Sequence, residues 1–130
     1  MGQEALKLHH FFQRITVQIV EKQISLDELT KMSQKMLGNL VKAVVDVEQG
    51  LMAVDAELHA DEEALLLENG SYQSNLWGIN LYPENADTDD FIEFDSMINI
   101  RPNDGNKSRG VENPEIQAKI RNIVKKLVIQ

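Results

Sequence analysis

Three sets of side chains have the types and spacing to do chemistry. Glu93, Asp95, Asn99 and Arg101 stand at odd positions of one extended run and so share a face of a strand. Asn80 falls beside them if the run 76–82 pairs antiparallel with that strand, and Gly78 would leave room above the backbone. Carboxylates, amides and a guanidinium on a rigid sheet can hold a small polar ligand. The plainer reading is a solvated face in which Arg101 makes one weak exposed ion pair.

The second set is the loop RPNDGNKSRGVE, residues 101–112, which leads into the amino end of a helix. Asn106, Lys107, Ser108 and Arg109 offer donors there, and Gly105 and Gly110 let backbone amides converge. Because a helix start favours negative charge, the loop reads as a phosphate or carboxylate cradle. It lacks the G-x-x-x-x-G-K-[ST] order of a P-loop. A turn-rich connector is the plainer alternative.

The third set is His59, Asp61 and Glu62 in ELHADEE, residues 57–63. These are the ligand types of a zinc or hard-cation site, and Asp46 or Asp55 would have to complete it. His59 could also act as a general base oriented by Asp61. Ser71, Ser74, Ser96 and Ser108 lack the G-x-S-x-G setting of an activated nucleophile, so the plainer reading of 57–63 is a solvated acidic loop.

The elements that must position these groups follow from periodicity. Thr16 to Glu21 carries enough β-branched residues for a first strand. Ser25-Leu-Asp-Glu28 is a capping box, and Leu29, Met32, Met36, Leu37 and Leu40 continue it as a helical stripe ending at Gly38. The runs 41–47 and 51–58 form a hairpin about Gln49-Gly50, with Val45, Val47, Met52 and Val54 on its core face and Asp46, Ala53 and Asp55 on a polar one. Residues 63–68 and 76–82 read as two strands around Asn69-Gly70-Ser71, and 91–101 as a long strand whose Phe91 pairs with Tyr82. Asn113-Pro114 then caps a closing helix buried through Ile116, Ile120, Ile123, Val124 and Leu127.

The expected fold is therefore α+β, an antiparallel sheet of about five to six strands with two main helices on one face, in the order β-α-β-β-β-β-β-α. Residues 1–15 read as a variable leader, helical or frayed, and 16–130 as one domain. A length of 130 residues, 42% hydrophobic and 26% charged, suits one self-folding unit. With no cysteine, a disulfide framework, a thiolate metal site and a cysteine nucleophile are excluded. The chain shows neither a signal-peptide core nor a membrane span, and it reads as cytoplasmic. Its net charge of -8 argues against nucleic acid as a partner.

The strings ELHADEEALLLENGS (57–71), LWGINLYPE (76–84), IEFDSMINIRP (92–102) and GNKSRGVENPEI (105–116) resemble the bacterial and archaeal family called domain of unknown function 5674. The resemblance runs from about Thr16 to the end and leaves 1–15 outside. It implies a small prokaryotic protein and assigns no activity, cofactor or catalytic residue.

The expected function is a binding or regulatory module whose polar face and loop hold a small anionic ligand or an acidic protein partner. Two alternatives come from other classes: a metal-assisted or acid-base hydrolase of phosphodiesters or other anions, and a toxin-antitoxin-like RNA-associated protein. An edge strand near Thr16 could also pair across a homodimer.

Overall fold

The computed structural model describes residues 17–130, with the element order β1 (Gln18–Val20), β2 (Ile24–Ser25), α1 (Leu26–Ser33), β3 (Val41–Asp46), β4 (Leu51–Val54), α2 (His59–Glu68), β5 (Leu76–Leu81), β6 (Ile92–Glu93), α3 (Pro114–Leu127) and β7 (Val128–Ile129). The expected leader lies outside the described residues, as does Thr16. The fold is α+β: an antiparallel sheet in the order β1-β4-β3-β5-β6, and a short parallel pair of β2 with β7.

The central strand explains the architecture. Val-Lys-Ala-Val-Val-Asp is apolar at adjacent positions, which suits a strand covered on both faces rather than one. Val41, Ala43 and Val45 pack with Leu29 and Met32 of α1 and with Ile120, Val124 and Leu127 of α3. Val44, on the opposite face, packs with Ala53, Leu76 and Leu66 of α2. The hairpin's core face is as expected, with Val45 opposite Met52. Its other face carries Asp46 but is not a solvated one, because α2 covers it.

That helix corrects the expectation of an acidic loop followed by a strand at 63–68. Leu66 is its one buried apolar residue, and the other buried positions, His59, Asp61 and Glu62, are polar. A helix that turns polar groups inward shows no apolar stripe, so periodicity cannot reveal it. The two expected helices, α1 and α3, do share one face of the sheet, and α2 is a third helix that covers the other.

Two further runs end earlier than expected. α1 stops at Ser33, with Ser25 accepting the Glu28 N–H as its cap, and Leu37 is 98% exposed rather than part of a stripe. The run 91–101 keeps the expected register, Leu81 opposite Ile92 and Asn80 opposite Glu93, but only Ile92–Glu93 is strand. Beyond it, Asn99 substitutes its side-chain amide for a ladder: Oδ1 accepts the Gly78 N–H at 2.8 Å and Nδ2 donates to the Gly78 carbonyl at 2.9 Å. Gly78 leaves no open space, since a Cβ there would lie 2.5 Å from both Cβ and Oγ of Ser96.

Candidate functional site

On the α2 side of the sheet, a cleft of about 210 Å³ opens between the start of α2 and the turn after β6. Lys42 and Asn80 are direct cross-strand neighbours and supply its floor. Leu58 and His59 form one wall, Met97 and Ile98 the other, and Asp95 and Arg109 close one end.

Each polar group has a defined state. Asn80 Nδ2 donates to Glu93 Oε1 at 2.8 Å and to the Asp95 carbonyl at 3.3 Å, which fixes the amide orientation and leaves Oδ1 buried with no partner. Glu93 also accepts the Tyr82 hydroxyl at 3.1 Å. His59 Nε2 lies 2.7 Å from the Ile79 carbonyl, which can only accept, so Nε2 carries the proton and Nδ1 the lone pair of the neutral ring. Burial holds the imidazole below its ordinary pKa, against the opposing pull of that hydrogen bond. Arg109 grips Asp95 with two contacts, Nε to Oδ1 at 2.7 Å and Nη2 to Oδ2 at 3.3 Å. Lys42 makes no ion pair among the described residues. Leu58, the N-cap of α2, has no side-chain oxygen with which to cap the helix, so the positive end of the helix faces the cleft without a cap hydroxyl.

Glu62 lies behind the cleft, fully buried. Its Oε2 accepts the Ala56 N–H at 3.2 Å and its Oε1 has no partner. Burial pushes its pKa well above the usual carboxylate range, and Lys42 opposes that rise. His59, Asp61 and Glu62 therefore sit on the first turn of one helix without a shared focus, and no three His, Asp or Glu side chains among the described residues are grouped to hold a metal ion.

The structure brings Asn80, Asp95 and Arg109 together and adds His59 from the third set. It sends the other candidates elsewhere. Asn99 is buried against Gly78. Arg101 stacks over Trp77, 4.2 Å from the ring centroid, and donates to the carbonyls of Gln73, Ser74, Leu76 and Ile98. Asn106 ties the loop internally, with Nδ2 on the carbonyls of Asn99, Ser108 and Gly110 and Oδ1 on the Glu112 N–H. The Lys107 and Ser108 amides do converge on an anion, and that anion is the carboxylate of Glu112.

The family model described as Protein of unknown function (DUF5674) matches residues 18–127. The chain belongs to this family. No curated protein and no solved structure matches it. The matched span of this DUF5674 chain contains every residue of the cleft. Sequence reasoning missed Lys42, Leu58 and Met97 as part of it. Lys42 could have been found: it and Asp46 share a parity on β3, so pairing β3 with β5 would have put Lys42 opposite Asn80.

Proposed function

We propose that this protein is a binding module for a small organic anion and that the cleft beneath α2 is its site. The carrying observation is Asn80 Oδ1, a buried acceptor without a partner among the described residues, on the strand position directly opposite Lys42, which makes no ion pair among them. Buried polar groups are nearly always satisfied, and an orphaned one costs about 1–3 kcal/mol. A ligand carrying both a negative group and an O–H or N–H would satisfy the two sites together: the anion meets Lys42 and the amino end of α2, and the donor meets Asn80 Oδ1. Arg109, already neutralised by Asp95, fixes the end of the cleft rather than supplying free charge.

Among the described residues, no helix is long and apolar enough to cross a membrane. We take the module to act in the cytoplasm, since a chain without cysteine needs no oxidising compartment.

The test is a thermal-shift panel of hydroxycarboxylates, amino acids, nucleotides and inorganic phosphate, followed by calorimetry on any compound that stabilises the protein. Lys42→Gln should weaken such a compound at least about tenfold, the equivalent of ~1.4 kcal/mol. If no compound shifts the melting temperature, or Lys42→Gln binds the same compound equally well, the reading is wrong.

A further inference from the structure

The floor of the cleft is polar, but its mouth is not. Leu58, the residue before α2, is 53% exposed, and Met97, on the turn across from it, is 65% exposed; both line the cleft. Ile98 and Ala60 continue the apolar lining beneath them. Neither exposed side chain is needed to close a core: Met97 stands outside both buried clusters, and so does Leu58. At the N-cap, moreover, a leucine forgoes the hydrogen bond that Ser, Thr, Asp or Asn would give. Two large apolar side chains thus flank a site whose lining includes Lys42 and an acceptor unpartnered among the described residues.

We propose that the ligand is amphipathic: a small carboxylate with a hydroxyl or amino donor next to it and an aliphatic or aromatic body that leaves the cleft between Leu58 and Met97. This rests on the anion-binding reading of the same cleft and adds the class of ligand. The polarity gradient sets the orientation. The carboxylate sits toward Lys42 and the start of α2, its neighbouring donor points at Asn80 Oδ1, and the apolar body covers Leu58 and Met97, removing from water surface that otherwise stays exposed. A purely ionic ligand such as phosphate would leave both side chains uncovered.

Calorimetric titration of the full chain with lactate, 2-hydroxybutyrate and 2-hydroxyhexanoate separates the two levels of the argument. Each added methylene that enters the apolar mouth should tighten binding roughly threefold to fourfold. In the Leu58→Ala, Met97→Ala double variant that dependence on chain length should largely disappear; both positions are exposed, so the variant should fold. Equal affinity for lactate and 2-hydroxyhexanoate would overturn the amphipathic class and leave the anion site standing. Binding of none of the three, with inorganic phosphate and amino acids also silent, would remove both. A dimer of the parent that the double variant abolishes, seen by native mass spectrometry, would show instead that a second copy covers Leu58 and Met97, and would overturn the small-ligand inference.

Discussion

Glu112 fills the anion cradle of its own loop: its Oε2 accepts the backbone N–H of Lys107 at 2.6 Å, and the Ser108 N–H joins at 2.8 Å. The loop 101–112 is therefore shaped around a negative group that it carries itself, five residues after Lys107. Asn106, buried at the loop's centre, donates to three carbonyls and accepts the Glu112 N–H, which holds the cradle and its occupant in register. The anion that these loop amides meet in the structure is this internal carboxylate.

Acidification should loosen this loop. The amide hydrogen bonds from Ser108 and Lys107 hold the Glu112 carboxyl below its ordinary value of 4.5. A folded-state value below the unfolded one means that the contribution is present above about pH 4.5 and is lost as pH falls through the folded value. Glu112→Gln cannot lose a charge, so its urea midpoint should fall less between about pH 6 and about pH 3 than the parent's. The same variant gives up the carboxylate that attracts the two amides, and at neutral pH it should be the less stable protein. Parallel pH profiles for the two would show that the cradle does not depend on the charge.

Glu62 should act with the opposite sign. Burial raises its pKa well above 4.5, so its stabilising contribution is fully present below that value and is lost as pH rises through the folded one. Lys42, Asp55 and Asp61 are the charged groups that act on it, Lys42 favouring ionisation and the two aspartates opposing it. Glu62→Gln keeps a neutral group of the same shape and can still accept the Ala56 N–H. Its stability relative to the parent should grow steadily from about pH 5 to about pH 9 in urea unfolding. A constant difference across that range would mean that Glu62 ionises as freely in the fold as in the unfolded chain.

The two carboxylates also mark the limit of what the sequence reveals. The closing helix, the first helix start, the hairpin's core face and the pairing of β5 with β6 were all legible, because each rests on apolar spacing or on a capping residue in local sequence. α2 was not, since its inward positions are His59, Asp61 and Glu62, whose burial depends on β3 and β4 lying beneath the helix and on β5 beside His59. The long strand at 91–101 was overread for a related reason. Its alternation persists to Arg101, but Asn99 and Ser96 use side-chain atoms where a strand would use backbone, and nothing in the alternation distinguishes the two. The cleft was half legible: Asn80, Asp95 and Arg109 were found as polar groups, whereas Lys42 and His59 join them only through the β3–β5 register and the helix.

Gly78 and Ser96 should be energetically coupled. A Cβ at 78 would fall 2.5 Å from Ser96 Cβ and Oγ, in the middle of a strand paired on one side with β3 and held on the other by Asn99. Neither neighbour can give easily, so Gly78→Ala should cost about 1–3 kcal/mol, as overpacked cores do. Ser96→Gly alone removes an acceptor for the Ile98 N–H and should cost about 1 kcal/mol or less. Combined with Gly78→Ala it also removes the obstruction, so the double variant should be more stable than the sum of the singles predicts, by at least ~0.5 kcal/mol. Strict additivity in a chemical-denaturation cycle would show that the loop moves aside and that the close approach carries no constraint.

Arg101 should prove to be a structural clamp whose shape matters more than its charge. Its Nη1 donates to the carbonyls of Gln73 at 3.1 Å and Ser74 at 3.3 Å, Nη2 reaches Leu76, Nε reaches Ile98 at 3.3 Å, and the plane lies over Trp77. These acceptors lie on two segments of chain, the lead-in to β5 and the turn at 97–99, so the guanidinium joins them. A lysine has the charge but not the fork, and one ammonium cannot span four carbonyls while stacking on an indole. Arg101→Lys should therefore lose about 1–3 kcal/mol of unfolding free energy, nearly as much as Arg101→Ala. Because Arg101 is not among the residues that line the cleft, Arg101→Lys should leave the affinity of any anion that depends on Lys42 within about twofold of the parent's. Loss of that binding with full retention of stability would return Arg101 to the ligand site and reverse this assignment.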